Sequence, residues 1–234
     1  MIILKLNEGT YEKRKKLRRK KRVNEDLFNY TRTGLIINNK PHFVISVEEK
    51  HLVDEDFKKL LGRYKGEIIA SEKLSQNEFI SGLLFNEKPY LKKAIYESFL
   101  KLFNNKRTKS LNVFIKDMTF DLKDDLPSLL PEIKSLTIKV QDEFLIRDWQ
   151  RECFIEYGIR PNVILDNNSQ IFSYDVVADF DKIKNKTLTI DFQGEQRTIY
   201  PDSSFFEISD ELKFLENFDL ESSTICAVFG SHHP

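Results

Sequence analysis

Short apolar segments alternate with helical patterns through the middle of this chain, and this alternation limits the possible folds more than any other feature. The sequence predicts strands at 66–71, 111–116, 136–140, 163–165 and 175–180, with helical spacing of apolar residues between most of them. A repeated order of strand, helix and strand is typical of right-handed crossovers on a parallel sheet. We therefore predict an α/β protein with a Rossmann-like core, in which a largely parallel sheet carries helices on both faces.

The two ends of the chain show a different pattern. Apolar runs at 35–37 and 42–47 are separated by turn residues, and so are the runs at 187–192 and 196–200. Closely spaced strands of this kind predict antiparallel hairpins. The ends are therefore expected to be β-rich.

These patterns divide the chain into three segments that we expect to pack as one compact unit. Residues 1–65 form a β-rich N-terminal segment, and residues 66–184 form the Rossmann-like core. Residues 185–234 add the second hairpin, a helix near 210–218 and a last strand at 224–229.

Three helix starts are indicated by capping residues. Asp54 is a suitable N-cap for the first helix, Ser75 and Glu78 have the spacing of a capping box, and Asp142 precedes a long helix. Helical periodicity predicts that the buried side of this long helix carries Leu145, Trp149, Cys153 and Phe154.

The composition excludes several classes of protein. The chain has two cysteines, Cys153 and Cys226, which are too few for a secreted disulfide framework. Its start is apolar before it is basic, which reverses the order of a secretory signal, and its apolar runs are shorter than a membrane span requires. We expect a cytoplasmic protein with no transmembrane segment and with both thiols reduced.

Common catalytic and cofactor motifs are missing. The eight glycines form neither the G-x-G-x-x-G pattern of dinucleotide sites nor a P-loop. The sequence also lacks a G-x-S-x-G elbow, H-E-x-x-H and C-x-x-C. We therefore predict no cofactor, with Mg²⁺ as the one candidate considered below.

A run of nine basic residues is the most unusual feature of the chain. The whole chain is neutral, with 37 basic and 37 acidic residues, so removing this run leaves 28 basic against 37 acidic residues and a charge of −9. Clustered cations of this kind neutralise phosphates and predict a nucleic acid or another polyanion as partner. The cations are Lys13, Arg14, Lys15, Lys16, Arg18, Arg19, Lys20, Lys21 and Arg22.

The same run has a second interpretation. It can be a solvated segment that lies on the acidic remainder of the chain. Aromatic residues, which would stack on bases, are absent from it, because only Leu17 interrupts the charges.

Aspartates follow several of the predicted strands. Ligands of open α/β sheets bind beyond the carboxyl ends of the strands, and converging carboxylates there can hold Mg²⁺. Aspartate is also a common turn and N-cap residue, which explains the same positions without a metal. The candidate metal ligands are Asp117, Asp166, Asp179 and Asp181.

Two functions are therefore left open by the sequence. The first is a non-catalytic or degenerate Rossmann-like binding or regulatory module that contacts a polyanion through its basic segment. The second is a Mg²⁺-dependent enzyme that acts on a phosphate-containing substrate with the strand-end carboxylates. The sequence determines neither the ligand nor the oligomeric state.

Overall fold

A computed structural model describes the chain in five stretches, residues 1–6, 30–104, 106–142, 146–165 and 173–230. The architecture is mixed α/β with two largely parallel sheets. Residues fall into two compact units, one formed by Met1–Glu87 with Phe206–Pro234 and the other by Lys88–Phe205. Each unit contains one of the sheets.

The strands and α-helices follow one another along the described chain. In order they are β1 (Ile2–Leu6), β2 (Tyr30–Ile37), β3 (Lys40–Val47), α1 (Glu55–Gly62), β4 (Ile68–Ala70), α2 (Glu72–Ser75), α3 (Glu78–Ser81), α4 (Lys88–Leu100), β5 (Asn112–Lys116), β6 (Ser135–Val140), α5 (Arg147–Tyr157), β7 (Asn162–Leu165), β8 (Val176–Asp179), β9 (Leu188–Phe192), β10 (Glu195–Ile199) and α6 (Ser222–Phe229). Short 3₁₀ helices lie at Glu49–His51, Lys106–Ser110, Leu126–Glu132, Phe180–Lys182, Ser203–Phe206 and Lys213–Phe218.

The sheet of the first unit has the strand order β2-β3-β1-β4. Strand β1 runs parallel to both β3 and β4, while β2 is antiparallel to β3. Because side chains alternate along a strand, Ile2 packs with Phe57 of α1 on one face, and Ile3 packs with Ile225 of α6 on the other. This sheet is covered by helices on both faces.

The sheet of the second unit has the order β10-β9-β8-β5-β6-β7. Strands β5, β6, β7 and β8 are parallel, and β9 and β10 are antiparallel additions at one edge. Alternate residues such as Val113 and Ile115 enter a large apolar core, together with Tyr96 of α4 and Trp149 of α5. Helices were predicted on both faces, but in the described part of this unit the large apolar core lies on one face.

The division of the chain differs from the predicted segments 1–65, 66–184 and 185–234. Strand β4 was expected to start the core sheet, yet it pairs with β1 in the sheet of the first unit. A strand of three apolar residues carries no local signal for its neighbour, and its pairing is decided by residues about 65 positions away.

The last predicted strand, at 224–229, is helical. Helix α6 buries Ile225, Cys226 and Phe229, which share one face at helical spacing. A short continuous apolar run fits a buried strand and a buried helix equally well, so periodicity alone selected the wrong element.

Two of the predicted helix starts also differ from the structure. Asp54 does cap α1, accepting hydrogen bonds from the N–H groups of Asp56 and Phe57. The next cap is Asn77, at the start of α3, rather than the predicted box of Ser75 and Glu78. Ser75 instead donates its hydroxyl to the Glu72 carbonyl at 2.7 Å.

Helix α5 begins at Arg147, later than the predicted cap at Asp142 implies. Its buried residues include Trp149 and Cys153 as predicted, whereas Phe154 is 57% exposed. Phe154 follows Cys153 by one position, which turns it about 100° around the helix and away from the core.

The predicted C-terminal hairpin is confirmed. Strands β9 and β10 are joined by Gln193 and Gly194, whose φ angles are 55° and 86°. Two successive positive φ angles form the type I′ turn that matches the twist of a hairpin, and glycine adopts this conformation without strain.

Both cysteines are buried thiols, and neither is part of a disulfide. Burial raises the pKa of the Cys153 thiol to about 11, with help from the nearby carboxylates of Glu152 and Glu156. This thiol is therefore protonated and unreactive near neutral pH. None of the helices in the described stretches has the length and apolar character needed to cross a bilayer.

Replacing Trp149 by alanine is expected to destabilise the protein by about 3–5 kcal/mol, because the change leaves a cavity in a packed core. The indole is 7% exposed, its N–H donates to the Lys123 carbonyl at 2.7 Å, and its ring meets Phe120 edge to face. Chemical unfolding measures the loss. The matched control, Phe154→Ala on the exposed side of the same helix, should change stability by less than about 0.5 kcal/mol. Equal losses in the two variants would contradict this packing.

Candidate functional site

The carboxyl ends of β5 and β8 lie side by side in the second sheet. The chain continues from β5 to β6 on one side, while β8 pairs with β5 on the other side. In open α/β sheets such a change of direction opens a crevice in which ligands bind. Asp117 directly follows β5, and Asp181 lies two residues beyond β8.

A lysine from α4 occupies this crevice. Lys92 is fully buried, and its ammonium contacts the Asp117 carboxylate directly. Its Nζ also lies 2.9 Å from Asp121 Oδ2, 3.1 Å from Asp181 Oδ1 and 2.7 Å from Thr119 Oγ1. We call these five residues the Lys92 cluster.

The backbone holds the carboxylates of the Lys92 cluster in place. Asp117 Oδ2 accepts a hydrogen bond from the Leu122 N–H at 2.9 Å, so the loop after β5 folds around its own aspartate. Asp181 Oδ2 accepts from the Met118 N–H at 3.0 Å, which links the turn after β8 to the same loop. The three carboxylates are therefore positioned by two loops, and the cation comes from a helix.

The charges around the cluster balance. Asp179 points to a different pair of lysines, Lys116 and Lys182, each at 3.4 Å. Lys88 lies 4.0 Å from Asp181. Four negative and four positive charges sum to zero in the set Asp117, Asp121, Asp179, Asp181, Lys88, Lys92, Lys116 and Lys182.

The pKa values of Lys92 and Asp121 are both shifted towards the charged form. Burial disfavours the charged form of Lys92, but hydrogen bonds to Asp117, Asp121 and Asp181 outweigh burial and raise its pKa above the ordinary 10.5. Burial likewise acts against charged Asp121, but hydrogen bonds from Thr119 and Lys92 lower the pKa of this carboxyl below 3.8.

These pKa shifts set the pH window in which the cluster stabilises the fold. The raised pKa of Lys92 contributes stability that is complete below pH 10.5 and is lost as the pH rises through the folded-state value. The lowered pKa of Asp121 contributes stability that is complete above pH 3.8 and is lost as the pH falls. Between these limits both contributions to stability are complete.

The Lys92 ammonium occupies the centre of the carboxylate cluster. The ammonium lies among the oxygen atoms that would coordinate Mg²⁺, and its positive charge replaces that of an ion. A protonated, ion-paired lysine is also a poor nucleophile and a poor base. Among the described residues no group of three or more His, Cys, Asp or Glu side chains has the arrangement of a metal site.

The candidate residues from the sequence have three different outcomes. Asp117 and Asp181 are brought together, and Asp179 lies next to them but pairs elsewhere. Asp166 and the basic run at 13–22 lie outside the described residues. A cleft of about 680 Å³ near the amino ends of β5, β6 and β7 is lined by none of Asp117, Asp179 and Asp181.

Sequence reasoning missed the lysine at the centre of the cluster. A signal for it exists, because Lys92 precedes Ile95, Tyr96 and Phe99 by three, four and seven positions, the spacing of one helix face. A lysine on an otherwise apolar face indicates a buried cation that needs a carboxylate partner. The sequence contains no comparable pattern that would have identified Asp121 and Thr119.

Comparison with known proteins gives no family. No protein-family model and no curated protein sequence matches the chain. Among solved structures, L-tryptophan dehydrogenase from Nostoc punctiforme is similar over 59% of this chain and 44% of that protein, with 14% identity and a TM-score of 0.30. The similarity covers less than half of the dehydrogenase and carries no argument about this chain.

Replacing Lys92 by methionine is expected to destabilise the protein by about 3–5 kcal/mol at pH 7, because three carboxylates lose their buried counter-charge. The loss should shrink as the pH falls towards 4 and the carboxylates of the variant take up protons. Unfolding in urea at several pH values measures both effects. Lys93→Met is the matched control, since Lys93 is a partly exposed neighbour paired with Asp125 at 3.5 Å. If the stability lost in Lys92→Met does not depend on pH, the loss comes from altered packing and not from the unpaired carboxylates.

Proposed function

We propose that this chain is a non-catalytic α/β binding module that engages a polyanion through its basic segment, residues 13–22. The observation that supports the absence of catalysis is the buried ammonium of Lys92, which fills the carboxylate cluster at the ends of β5 and β8. The partner is proposed from charge: nine cations are clustered in one segment, while the other residues of the chain together have a formal charge of −9.

The second unit is proposed to have a Rossmann-like origin. Its parallel strands have the order β7-β6-β5-β8, which corresponds to the 3-2-1-4 order of doubly wound dinucleotide-binding sheets. The Lys92 cluster lies where such sheets bind their ligands, and the glycine motif of a dinucleotide site is missing. A sheet that keeps the strand order but closes the ligand position fits a degenerate, non-catalytic member of this architecture.

The alternative function, a Mg²⁺-dependent enzyme, requires an open position among the carboxylates. Asp117 and Asp181 do converge as that hypothesis expects. Binding of Mg²⁺ would require Lys92 to leave a site where it makes four polar contacts, and an ammonium cannot exchange for a hydrated ion without exposing that charge elsewhere.

Thermal unfolding with millimolar Mg²⁺ separates the two functions. We expect no change in Tm for the wild-type protein, because a ligand stabilises a fold only if it binds the folded state. Mn²⁺ should behave in the same way. A rise in Tm that disappears in Asp181→Asn, but persists in the exposed control Asp210→Asn, would contradict the non-catalytic binding module. It would support the Mg²⁺-dependent enzyme instead.

Salt dependence tests the polyanion partner. If the basic segment neutralises phosphates, log affinity for duplex DNA should fall with log salt by about 0.9 per phosphate contacted, and by about 0.7 for a single strand. Replacing Arg18, Arg19, Lys20 and Lys21 by glutamine should flatten this slope and weaken binding to all sequences alike.

The matched control removes four exposed cations from other parts of the chain, as Arg63→Gln, Lys65→Gln, Lys109→Gln and Lys184→Gln. This variant has the same net charge as the basic-segment variant and should keep the wild-type slope. Equal weakening in both variants would show that net charge alone drives binding. If the protein does not bind heparin, RNA or DNA at low salt, the polyanion function is contradicted. The basic run is then a solvated segment.

A further inference from the structure

A buried histidine lies between the first sheet and α6, within the first unit. His42 is on β3, opposite Leu35 of β2, and it is 8% exposed. Its ring meets the ring of Phe229, the last residue of α6, edge to face, with 5.2 Å between the ring centres. This contact joins β3 to the carboxyl end of the helix.

The turn between β2 and β3 holds the same end of α6. The side-chain Nδ2 of Asn38 donates a hydrogen bond to the Phe229 carbonyl at 3.1 Å. Asn38 and Asn39 have φ angles of 51° and 60°, the left-handed pair of a tight hairpin turn. Carbonyls in the last turn of a helix have no partner within the helix, and the Asn38 amide supplies one. We call Asn38, His42 and Phe229 the α6 latch.

The α6 latch keeps an apolar face of the sheet covered. Ile225 and Phe229 of α6 pack in one core with Ile3 of β1. Cys226, on the same helix, is 4% exposed. Movement of α6 away from the sheet would therefore expose apolar side chains and bring the Cys226 thiol into contact with water.

The ring of His42 is suited to the neutral form only. Its Nδ1 is buried and has no hydrogen-bond partner in the described part of the chain. A neutral imidazole has one N–H group, whereas the protonated ring has two and a positive charge. A buried charged donor without an acceptor is unfavourable, so protonation favours a conformation in which water reaches the ring.

The charges near His42 also oppose protonation. Burial is the main cause that lowers the pKa of His42 below 6.5, and the ammonium groups of Met1 and Lys40 act in the same direction. The backbone of Ile37 favours the charged ring but does not outweigh these effects. Because the pKa is lowered in the folded state, the stability contributed by the neutral ring is complete above pH 6.5. It is lost as the pH falls towards the folded-state pKa.

The elements packed against His42 supply no carboxylate. Helix α6 has no acidic or basic side chain in its sequence, and its one titratable group is the Cys226 thiol. The one charged residue of β2 is Arg32, whose guanidinium lies 3.6 Å from the centre of the Phe43 ring. Phe43 is next to His42 on β3, so strand alternation directs it to the other face of the sheet.

We propose that the α6 latch is a pH-sensitive switch, closed while His42 is neutral and opened in mildly acidic solution when His42 takes up a proton. Opening releases the end of α6 from the β2–β3 turn and uncovers the apolar face around Ile3. The switch belongs to the first unit and uses no residue of the basic segment, so it does not depend on the polyanion function.

Labelling of the Cys226 thiol in the full chain measures the opening of the latch. The reagent is dithiodipyridine, and mass spectrometry of the peptides reads Cys226 and Cys153 separately. Each rate is divided by the rate for the unfolded chain at the same pH, so that the chemistry of the reagent cancels. Between pH 7 and pH 5 the corrected rate at Cys226 should rise about fivefold or more, the effect of one buried donor without an acceptor. Cys153, which is buried in the second unit, should show no such rise.

Substitutions in the α6 latch separate charge from packing. His42→Phe keeps an aromatic ring against Phe229 but cannot take up a proton, so its corrected rate should be the same at both pH values. His42→Gln, which is also neutral, should give the same result and is the second test if His42→Phe does not fold. Asn38→Gly removes the hydrogen bond to the Phe229 carbonyl while glycine keeps the left-handed turn. It should raise the rate about fivefold at both pH values and retain the response to pH.

A control variant removes the other histidines of the chain. The chain has four histidines, and the triple variant His51→Ala, His232→Ala and His233→Ala leaves His42 alone. This variant should keep the wild-type response of Cys226 to pH, because the proposal assigns the response to His42.

Three results would overturn the switch. Equal rises at Cys226 and Cys153 would show that acid unfolds the whole chain rather than the α6 latch. A response to pH that persists in His42→Phe and His42→Gln, or that is lost in the triple variant, would assign the proton to another group. A slower reaction at pH 5 would show that the carboxyl end of α6 stabilises the protonated ring through the helix dipole, so that acid closes the latch.

Discussion

The ammonium of Lys92 is buried among Asp117, Asp121 and Asp181, and the second unit depends on this ion cluster for its arrangement. Removing a charge from water costs several kcal/mol, and only well-placed opposite charges and hydrogen bonds offset that cost. The carboxylates belong to the loop after β5 and the turn after β8, while the cation belongs to α4. A helix and two loops that are far apart in sequence must therefore take their native positions together, since any one of them alone leaves an unpaired buried charge.

The two sheets present different chemistry at their carboxyl edges. At the ends of β5 and β8 the surrounding charges sum to zero and the central position is filled by the chain itself. At the ends of β1 and β4 the hydroxyl of Ser71 is buried and has no hydrogen-bond partner among the described residues.

Much of the local structure could be predicted from the sequence, because it depends on neighbouring residues. Asp54 caps α1 through hydrogen bonds to N–H groups two and three residues ahead, and Gly194 allows the hairpin turn by adopting a positive φ. Helical spacing correctly placed Trp149 in the core. The basic run and the excess of acid elsewhere are likewise properties of the sequence, and they alone led to a polyanion as the proposed partner.

Only the tertiary structure decided how these elements combine. Strand β4 joins β1 rather than the neighbouring core, and the apolar run of α6 is helical, because pairing and burial depend on distant residues that local periodicity does not contain. The sequence did place Asp117 and Asp181 at strand ends, but it did not show that a lysine 25 positions before Asp117 lies between their carboxylates. The net charge at a site depends on which side chains the fold places together. Here the fold places the Lys92 ammonium at the strand ends where the sequence predicted ligands for Mg²⁺.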